Sequence, residues 1–408
     1  MENDLFDIVI TANSPGELYS LVRPLIKSIS KHIPFSRIIL VITPCQYASG
    51  REIEVAKTFP EIFEIILPEE YKKWIFKNQP PKGISFSKKG AVLYLGGDLI
   101  NGVLLSKKLN YPAFAYSMNK IAWAKHYKTF FVPDKNIAQK ASKKAPKEKI
   151  KVVGDLMVDS ALLNISKEQE DNIDITFMPG SRPKHIKFLA PYFIKTANIL
   201  KQKNSSLKFA FALSPYCPYA LLEEFISKNK MEELEKKFGN SGIITIKDDK
   251  KFIISESGTE ILLIEKNPFQ AMQSAKLVVT IPGTNTAEAA ALGKPMLVVI
   301  PTFKAEAFIF DGLVGIIGNA PFFGKYIKRL AIEILSRTEK YISLPNRKAG
   351  KSIIPELKGY IYPEKVAEKA LELLNDENLM EQMTFELKKT MGPAGASEKI
   401  VEEIAGIT

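Results

Sequence analysis

Two turns in the second half of the chain carry the residue types best suited to hold a phosphate. In the first, the apolar run Leu277–Ile281 leads into Pro282, Gly283, Thr284, Asn285 and Thr286, then a short helical pattern, Ala287–Leu292, closed by Gly293. Gly283 permits a sharp turn and close approach of the backbone to a ligand. Thr284, Asn285 and Thr286 are helix-capping types, and the free N–H groups of a helix start attract anions. Glu288, one turn further in, offers two carboxylate oxygens to a ribose diol. The second turn, Met178–Pro179–Gly180–Ser181–Arg182, adds a hydroxyl and a guanidinium whose planar fork suits a diphosphate. Either turn alone reads equally as an ordinary capped turn. Two of them on different strands of one sheet predict a shared ligand.

Two further turns lie in the first half. Ala12–Asn13–Ser14–Pro15–Gly16–Glu17 is a strand-to-helix loop in which Gly16 allows close approach and Glu17 offers a carboxylate to an acceptor sugar. Tyr94–Leu95–Gly96–Gly97–Asp98 ends an apolar strand in Gly-Gly-Asp, placing Asp98 at the carboxyl edge of its sheet. Sugar transfer with inversion needs a base for the acceptor hydroxyl and positive donors for the leaving diphosphate. Asp98 and Arg182 fit those roles, although Asp98 is also a good helix cap. His32, His126 and His185 are isolated, and no HExxH, Cys-x-x-Cys or acidic metal box occurs, so no metal site is expected. No P-loop or dinucleotide fingerprint is present either.

The elements that must position these turns alternate along the whole chain. Strands are predicted at Asp7–Asn13, Arg37–Thr43, Phe63–Leu67, Ala91–Gly96, Ala113–Ser117, Thr129–Val132 and Ile150–Val153. Leu18, Leu21, Val22, Leu25, Ile26 and Ile29 form one helical face, which Pro24 should kink or delay. The pattern restarts with strands at Asp174–Met178, Lys208–Leu213, Gly242–Ile246, Ile261–Ile264, Leu277–Ile281 and Pro295–Ile300, and helices at Pro191–Lys201 and Pro363–Leu374. The expectation is an α/β chain of two doubly wound parallel sheets: residues 1–165, 166–380, and a tail, 381–408, that crosses back to the first domain. Ligands of such folds sit at the carboxyl ends of strands, so a cleft between domains is expected.

Length and composition agree with two globular domains: 408 residues, 46% apolar and 25% charged. A formal charge of +12 suits an anionic partner such as a phosphate or acidic lipid. Nucleic acid ranks last, because no recognised module accompanies the charge. Cys45 and Cys217 are far apart, which fits a reducing, cytoplasmic setting. The start, MENDLFDIVITA, lacks the pattern of a signal peptide. No apolar stretch is long and clean enough to span a membrane. Residues 303–329 hold Phe308, Phe310, Ile316, Phe322 and Phe323 followed by Lys325, Lys328 and Arg329. This reads either as an anchor on an anionic membrane surface or as a core-covering loop or oligomer contact.

Taken in order, the motifs resemble those of the lipid-A-disaccharide synthase family along nearly the whole chain. Pro179–Arg182 matches the family's PGSR turn, and Pro282–Glu288 is similar to its Ser-Gly-Thr-x-Thr-x-Glu element. Tyr341–Gly350, with Pro355–Glu356–Leu357, matches its Tyr-x-x-Leu-Pro-Asn-x-x-Ala-Gly stretch, which brings in Asn346. Asn13–Glu17, Gly97–Asp98 and Ala122–Trp123 fall on its N-terminal motifs. The resemblance implies a GT-B fold and an inverting, metal-independent transferase with a UDP-sugar as substrate and no cofactor. It implies a sugar-phosphate or lipid-linked acceptor, and pairing into homodimers. Gly16, Gly180, Ser181, Arg182, Gly283, Thr284, Asn285, Thr286, Glu288 and Asn346 would then hold the nucleotide sugar, with Asp98 and Glu17 catalytic. Asn13, Asp155, His185 and Gly359 depart from the family pattern, and the apolar excursion after the third strand shrinks to Tyr71–Phe76. Those departures leave two alternatives: a UDP-sugar 2-epimerase of the same fold, or a non-catalytic binder of nucleotide sugars or phospholipids.

Overall fold

A computed structural model describes residues 5–44, 52–118, 121–163, 165, 172–215, 217–265, 267–303 and 340–407. The apolar 303–329 segment, apart from Phe303, and Cys45 lie outside the described residues. The chain divides into two compact units, Met1–Leu163 with Gly392–Thr408, and Asn164–Met391.

Unit 1 is built on β1 (Phe6–Ala12), β2 (Ser36–Ile42), β3 (Ile62–Ile66), β4 (Lys89–Tyr94), β5 (Ala113–Tyr116), β6 (Tyr127–Val132) and β7 (Ile150–Val152). They form one sheet in the order β3-β2-β1-β4-β5-β6-β7, and every pairing is parallel. All seven residues of β1 are buried, as a central strand covered by helices on both faces requires. The expected effect of Pro24 takes an unusual form. The chain is helical at Pro15–Glu17, opens into a π-turn at Leu18–Val22, and resumes as Arg23–His32 with Pro24 in its first turn. The Arg23 N–H reaches the Leu18 carbonyl, five residues back. The wider turn thus precedes the residue that cannot donate.

Below the strand starts sits a buried ionic network that the sequence patterns did not reveal. Asp7 is fully buried and takes a two-point bond from Arg37 (Nε to Oδ1 2.8 Å, Nη2 to Oδ2 3.1 Å). The Ser87 N–H and the Tyr111 hydroxyl donate to the same carboxylate at 2.7 and 3.2 Å. The last helix, Ala396–Ala405, docks on unit 1 through a second carboxylate. Asp159, on the helix Leu156–Leu163, accepts the Gly395 N–H (2.7 Å), the Ser397 N–H (2.6 Å) and the Ser397 hydroxyl (2.6 Å). The returning segment begins at Gly392 rather than 381, because Glu377–Met391 is one continuous helix with Met383, Leu387 and Met391 buried.

Unit 2 holds β8 (Ile173–Met178), β9 (Phe209–Ala212), β10 (Gly242–Lys247), β11 (Lys250–Ser255), β12 (Glu260–Ile264), β13 (Ala275–Thr280), β14 (Met296–Pro301) and β15 (Glu356–Gly359). The order is β10-β11-β12-β9-β8-β13-β14-β15. The sheet is parallel from β12 to β15, but β10-β11-β12 is an antiparallel meander at its edge. The charged sequence of β11 and the brevity of β15 hid both strands from the pattern reading. The helix expected from Pro191 instead starts at Pro183 and runs to Lys203, with Pro191 inside it. Its apolar face, including Phe188, Leu189, Phe193, Ile194 and Ala197, is fully buried and carries the helix across the proline. The Asn240 N–H bonds the Pro191 carbonyl at 2.9 Å, and a Cβ on Gly239 would lie 2.5 Å from the Pro191 ring. No described helix is long and apolar enough to cross a membrane.

Candidate functional site

In an open parallel sheet, ligands sit outside the carboxyl ends of the strands where the strand order reverses. In unit 2 that point lies between β8 and β13, and in unit 1 between β1 and β4. All four turns singled out in the sequence follow these four strands.

The unit 2 turns are neighbours. Met178 pairs with Thr280 in the last register of β8 and β13. The Thr280 hydroxyl donates to the Met178 carbonyl at 3.1 Å, and the Asn285 amide donates to that same hydroxyl. Gly180 takes the left-handed conformation (φ 89°), and a Cβ there would stand 2.9 Å from Ile281 Cδ1. Both turns open helices at the crevice. Arg182 is the cap residue of Pro183–Lys203, and Gly283 that of Thr284–Ala291. Two helix starts raise the positive potential at this edge of the sheet, and Ser181 and Arg182 stand on the turn that leads into the first of them.

Some assigned roles change. Gly283 is extended (φ 165°), so it supplies no left-handed turn; the tight bend belongs to Gly180. Among the three capping types, Thr286 bonds back to the Gly283 carbonyl (2.7 Å), and Asn285 points under the turn to Thr280 rather than capping. The helix begins at Thr284, three residues earlier than expected, and Glu288 on it is 7% exposed. Asn346 is fully buried, and its amide is consumed within the protein. Nδ2 donates to the Ile354 carbonyl and Glu356 Oε1 (both 2.9 Å), and Oδ1 accepts the N–H groups of Ile353 (2.7 Å) and Ile354 (3.0 Å). It has no capacity left for a ligand; its helix, Leu344–Ala349, packs on Thr284–Ala291 and supports the site from behind. Glu356, at the centre of that network, also accepts the N–H groups of Ile342 (3.0 Å) and Ser343 (2.9 Å) and the Ser343 hydroxyl (2.6 Å). Burial works to raise its carboxyl, but these bonds outweigh it and hold the group below the ordinary value.

In unit 1, Glu17 does not present its carboxylate outward. Oε2 accepts the Asn13 N–H at 2.8 Å, and the backbone of Gly97 and Ser14 also bonds the carboxyl. Burial nevertheless dominates and pushes the group above the ordinary glutamate value. A Cβ on Gly96 would overlap this carboxyl, so the β4 turn and the β1 loop interlock. Gly97 is left-handed (φ 86°), and its carbonyl accepts the Tyr94 hydroxyl at 2.9 Å. Beneath it lies the Thr43 hydroxyl, 1% exposed and without a hydrogen-bond partner among the described residues. Gly16 sits in the short turn Pro15–Glu17 that opens the loop. Asp98 is exposed and caps Leu99–Leu109, its Oδ1 accepting the Ile100 N–H at 3.0 Å. Sequence reasoning took Asp98 from this turn and missed Tyr94, Gly96 and Thr43; the paired glycines were the visible sign that something packs closely there.

No protein-family model matches the chain. In sequence it is similar to lipid-A-disaccharide synthases: 24% identical over 226 residues to that of Methylobacillus flagellatus, covering 55% of this chain and 47% of the relative. For that of Sulfurihydrogenibium sp. the figures are 27% over 242 residues, 58% and 51%. The chain thus spans about half the length of these curated relatives. With that of Pasteurella multocida the match is longer, 25% over 391 residues, covering 88% and 84%. Among solved structures it is similar to UDP-GlcNAc 2-epimerase from Neisseria meningitidis bound to UDP-GlcNAc (TM-score 0.57, 16% identity, covering 98% and 100%). The S. aureus MnaA-UDP co-structure gives 0.57 at 18%, covering 98% and 96%, and MurG of Acinetobacter baumannii 0.50 at 13%, covering 98% and 99%. The chain has the GT-B fold of two Rossmann-like parallel-sheet domains, and its relatives in sequence are glycosyltransferases.

Proposed function

We propose that the protein is an inverting, metal-independent glycosyltransferase that moves a sugar, an N-acetylglucosamine derivative, from UDP to a sugar-phosphate or lipid-linked acceptor. The observation that carries this reading is the adjacency of the turns after β8 and β13 at the reversal of strand order. Gly180, Ser181 and Arg182 on one side, and the helix start at Thr284 on the other, suit the two phosphates of one UDP. Glu288, one turn into that helix, is assigned to the ribose. That two solved proteins of this fold bind UDP or UDP-GlcNAc supports the same ligand. Asp98 acts as the base toward the acceptor hydroxyl, and Glu17 holds the loop that shapes its surroundings.

Asp98→Asn is a clean test, because asparagine caps a helix as well as aspartate but is not a base. The variant should keep its melting temperature and its thermal shift with UDP, while transfer to acylated or unacylated sugar phosphates falls about 10²- to 10⁴-fold. Unchanged turnover would remove Asp98 from that role. The epimerase reading is tested in the same assay without acceptor: conversion of UDP-GlcNAc to its C2 epimer would favour it.

A further inference from the structure

The helix Pro68–Lys77 follows β3 at the carboxyl end of the unit 1 sheet. Tyr71 and Trp74 fix its rotation: both are buried, and Trp74 is stacked on Phe86 (4.9 Å between ring centroids). The opposite face therefore comprises Glu69, Lys72, Lys73, Phe76 and Lys77, spaced i, i+3, i+4, i+7 and i+8. Turned to bulk water, such a face would need no explanation. Here it forms a wall of a cavity of about 460 Å³, which Pro44, just after β2, and Asn101 also line. Lys72 is paired with Glu69 at 2.8 Å. Lys73 and Lys77 have no carboxylate within ion-pair distance among the described residues, so the wall carries excess positive charge. The Tyr71 hydroxyl donates to Asn101 Oδ1 at 2.7 Å, and burial raises this phenol, which keeps it a donor. That bond fixes the amide and leaves its two Nδ2 donors with no partner among the described residues. Asn101 lies on the helix that Asp98 caps, and its N–H bonds the Asp98 carbonyl at 3.0 Å. It thus stands about 5 Å of helical rise from the candidate base.

Two unpaired ammonium groups and an amide donor suit a phosphate dianion, because charge-assisted bonds to phosphate oxygens are the strong ones. Phe76, 75% exposed at the same wall, offers an aromatic face to the C–H side of a sugar ring. A long acyl chain fits poorly. Laid along this wall it would strip water from the lysine ammonium groups and give them no partner. The cavity volume also falls in the range of small-molecule sites, roughly 300–1,000 Å³. We propose that the acceptor is a water-soluble, unacylated sugar phosphate. Its phosphate seats in this cavity on Lys73, Lys77 and the Asn101 amide, and its sugar extends toward Asp98. The acceptor role rests on the transferase reading; the anion site itself does not.

The test is equilibrium binding to the full chain by titration calorimetry, in excess UDP so that the turns of unit 2 are filled and no transfer occurs. N-acetylglucosamine 1-phosphate should bind saturably, inorganic phosphate should compete with it, and N-acetylglucosamine should bind far more weakly. Each lysine is worth about tenfold, so Lys73→Gln/Lys77→Gln should weaken binding of the sugar phosphate about 100-fold. Asn101→Asp still accepts the Tyr71 hydroxyl but sets a carboxylate against the phosphate, and should abolish binding. Both variants should keep the melting temperature and the thermal shift with UDP. The proposal is overturned if N-acetylglucosamine 1-phosphate does not bind, if N-acetylglucosamine binds as tightly, or if the double lysine variant binds like the wild type. Tighter binding of 2,3-diacylglucosamine 1-phosphate, the lipid form of the same phosphate, overturns the unacylated class. Lysine-dependent binding with no transfer to any acceptor would overturn the acceptor role and leave the anion site standing.

Discussion

Two buried carboxyls, Glu17 and Glu356, show how the same side chain is tuned in opposite directions. Glu17 is raised by burial, so the folded state holds its proton more tightly than the unfolded chain does. Its contribution is therefore full below 4.5 and is lost as the pH rises through the folded value. Glu356 is lowered by its hydrogen bonds despite burial, so its contribution is present above 4.5 and disappears as the pH falls through the folded value. Melting temperature followed across the acid range should lose its decline on the alkaline side of 4.5 in Glu17→Gln, and its decline on the acid side in Glu356→Gln. At this scale the sequence was only partly legible. Arg182 and Gly180 announce themselves by type and neighbours. Whether a carboxylate faces a ligand or its own loop depends on backbone geometry some residues away, which is why Glu17, Asn346 and Gly283 took different roles from those expected.

At the scale of elements, apolar periodicity located most strands, because buried parallel strands are nearly continuous hydrophobic runs. It failed where burial is partial: β11 opens with two lysines and buries only Ile253 and Ser255, and β15 has no fully buried residue. It also misplaced the helix around Pro191, since proline usually marks a first turn and here lies mid-helix under Gly239. Gly239 has an unexceptional backbone, so its role is steric. Gly239→Ala should destabilise unit 2 by about 2 kcal/mol through overpacking against Pro191, measured by urea denaturation. A neutral result would mean that the helix moves aside at little cost. The π-turn before Pro24 belongs with these cases: the apolar face was legible, but not how the backbone would carry it past the proline.

At the scale of the molecule, the alternation of strands and helices in two blocks was enough to anticipate two sheets, while the strand order, and hence the adjacency of the turns, had to be observed. The chain leaves unit 1 at Leu163 and returns at Gly392. Asp159 fastens the return by three hydrogen bonds, and Ile400, Val401 and Ile404 are fully buried. Asp159→Ala leaves buried donors unmatched and should cost roughly 3 kcal/mol. Limited proteolysis should then cut near Gly392–Gly395 well before the wild type is cleaved; equal cleavage rates would show the tail to be held by its apolar face alone. This stitching has a consequence for biosynthesis. Residues 1–163 leave the ribosome while the segment that completes them is still untranslated, a delay on the order of tens of seconds. During that interval the nascent sheet lacks its last helix, and the groove meant for Ile400 and Ile404 is open to chaperones or to other nascent chains.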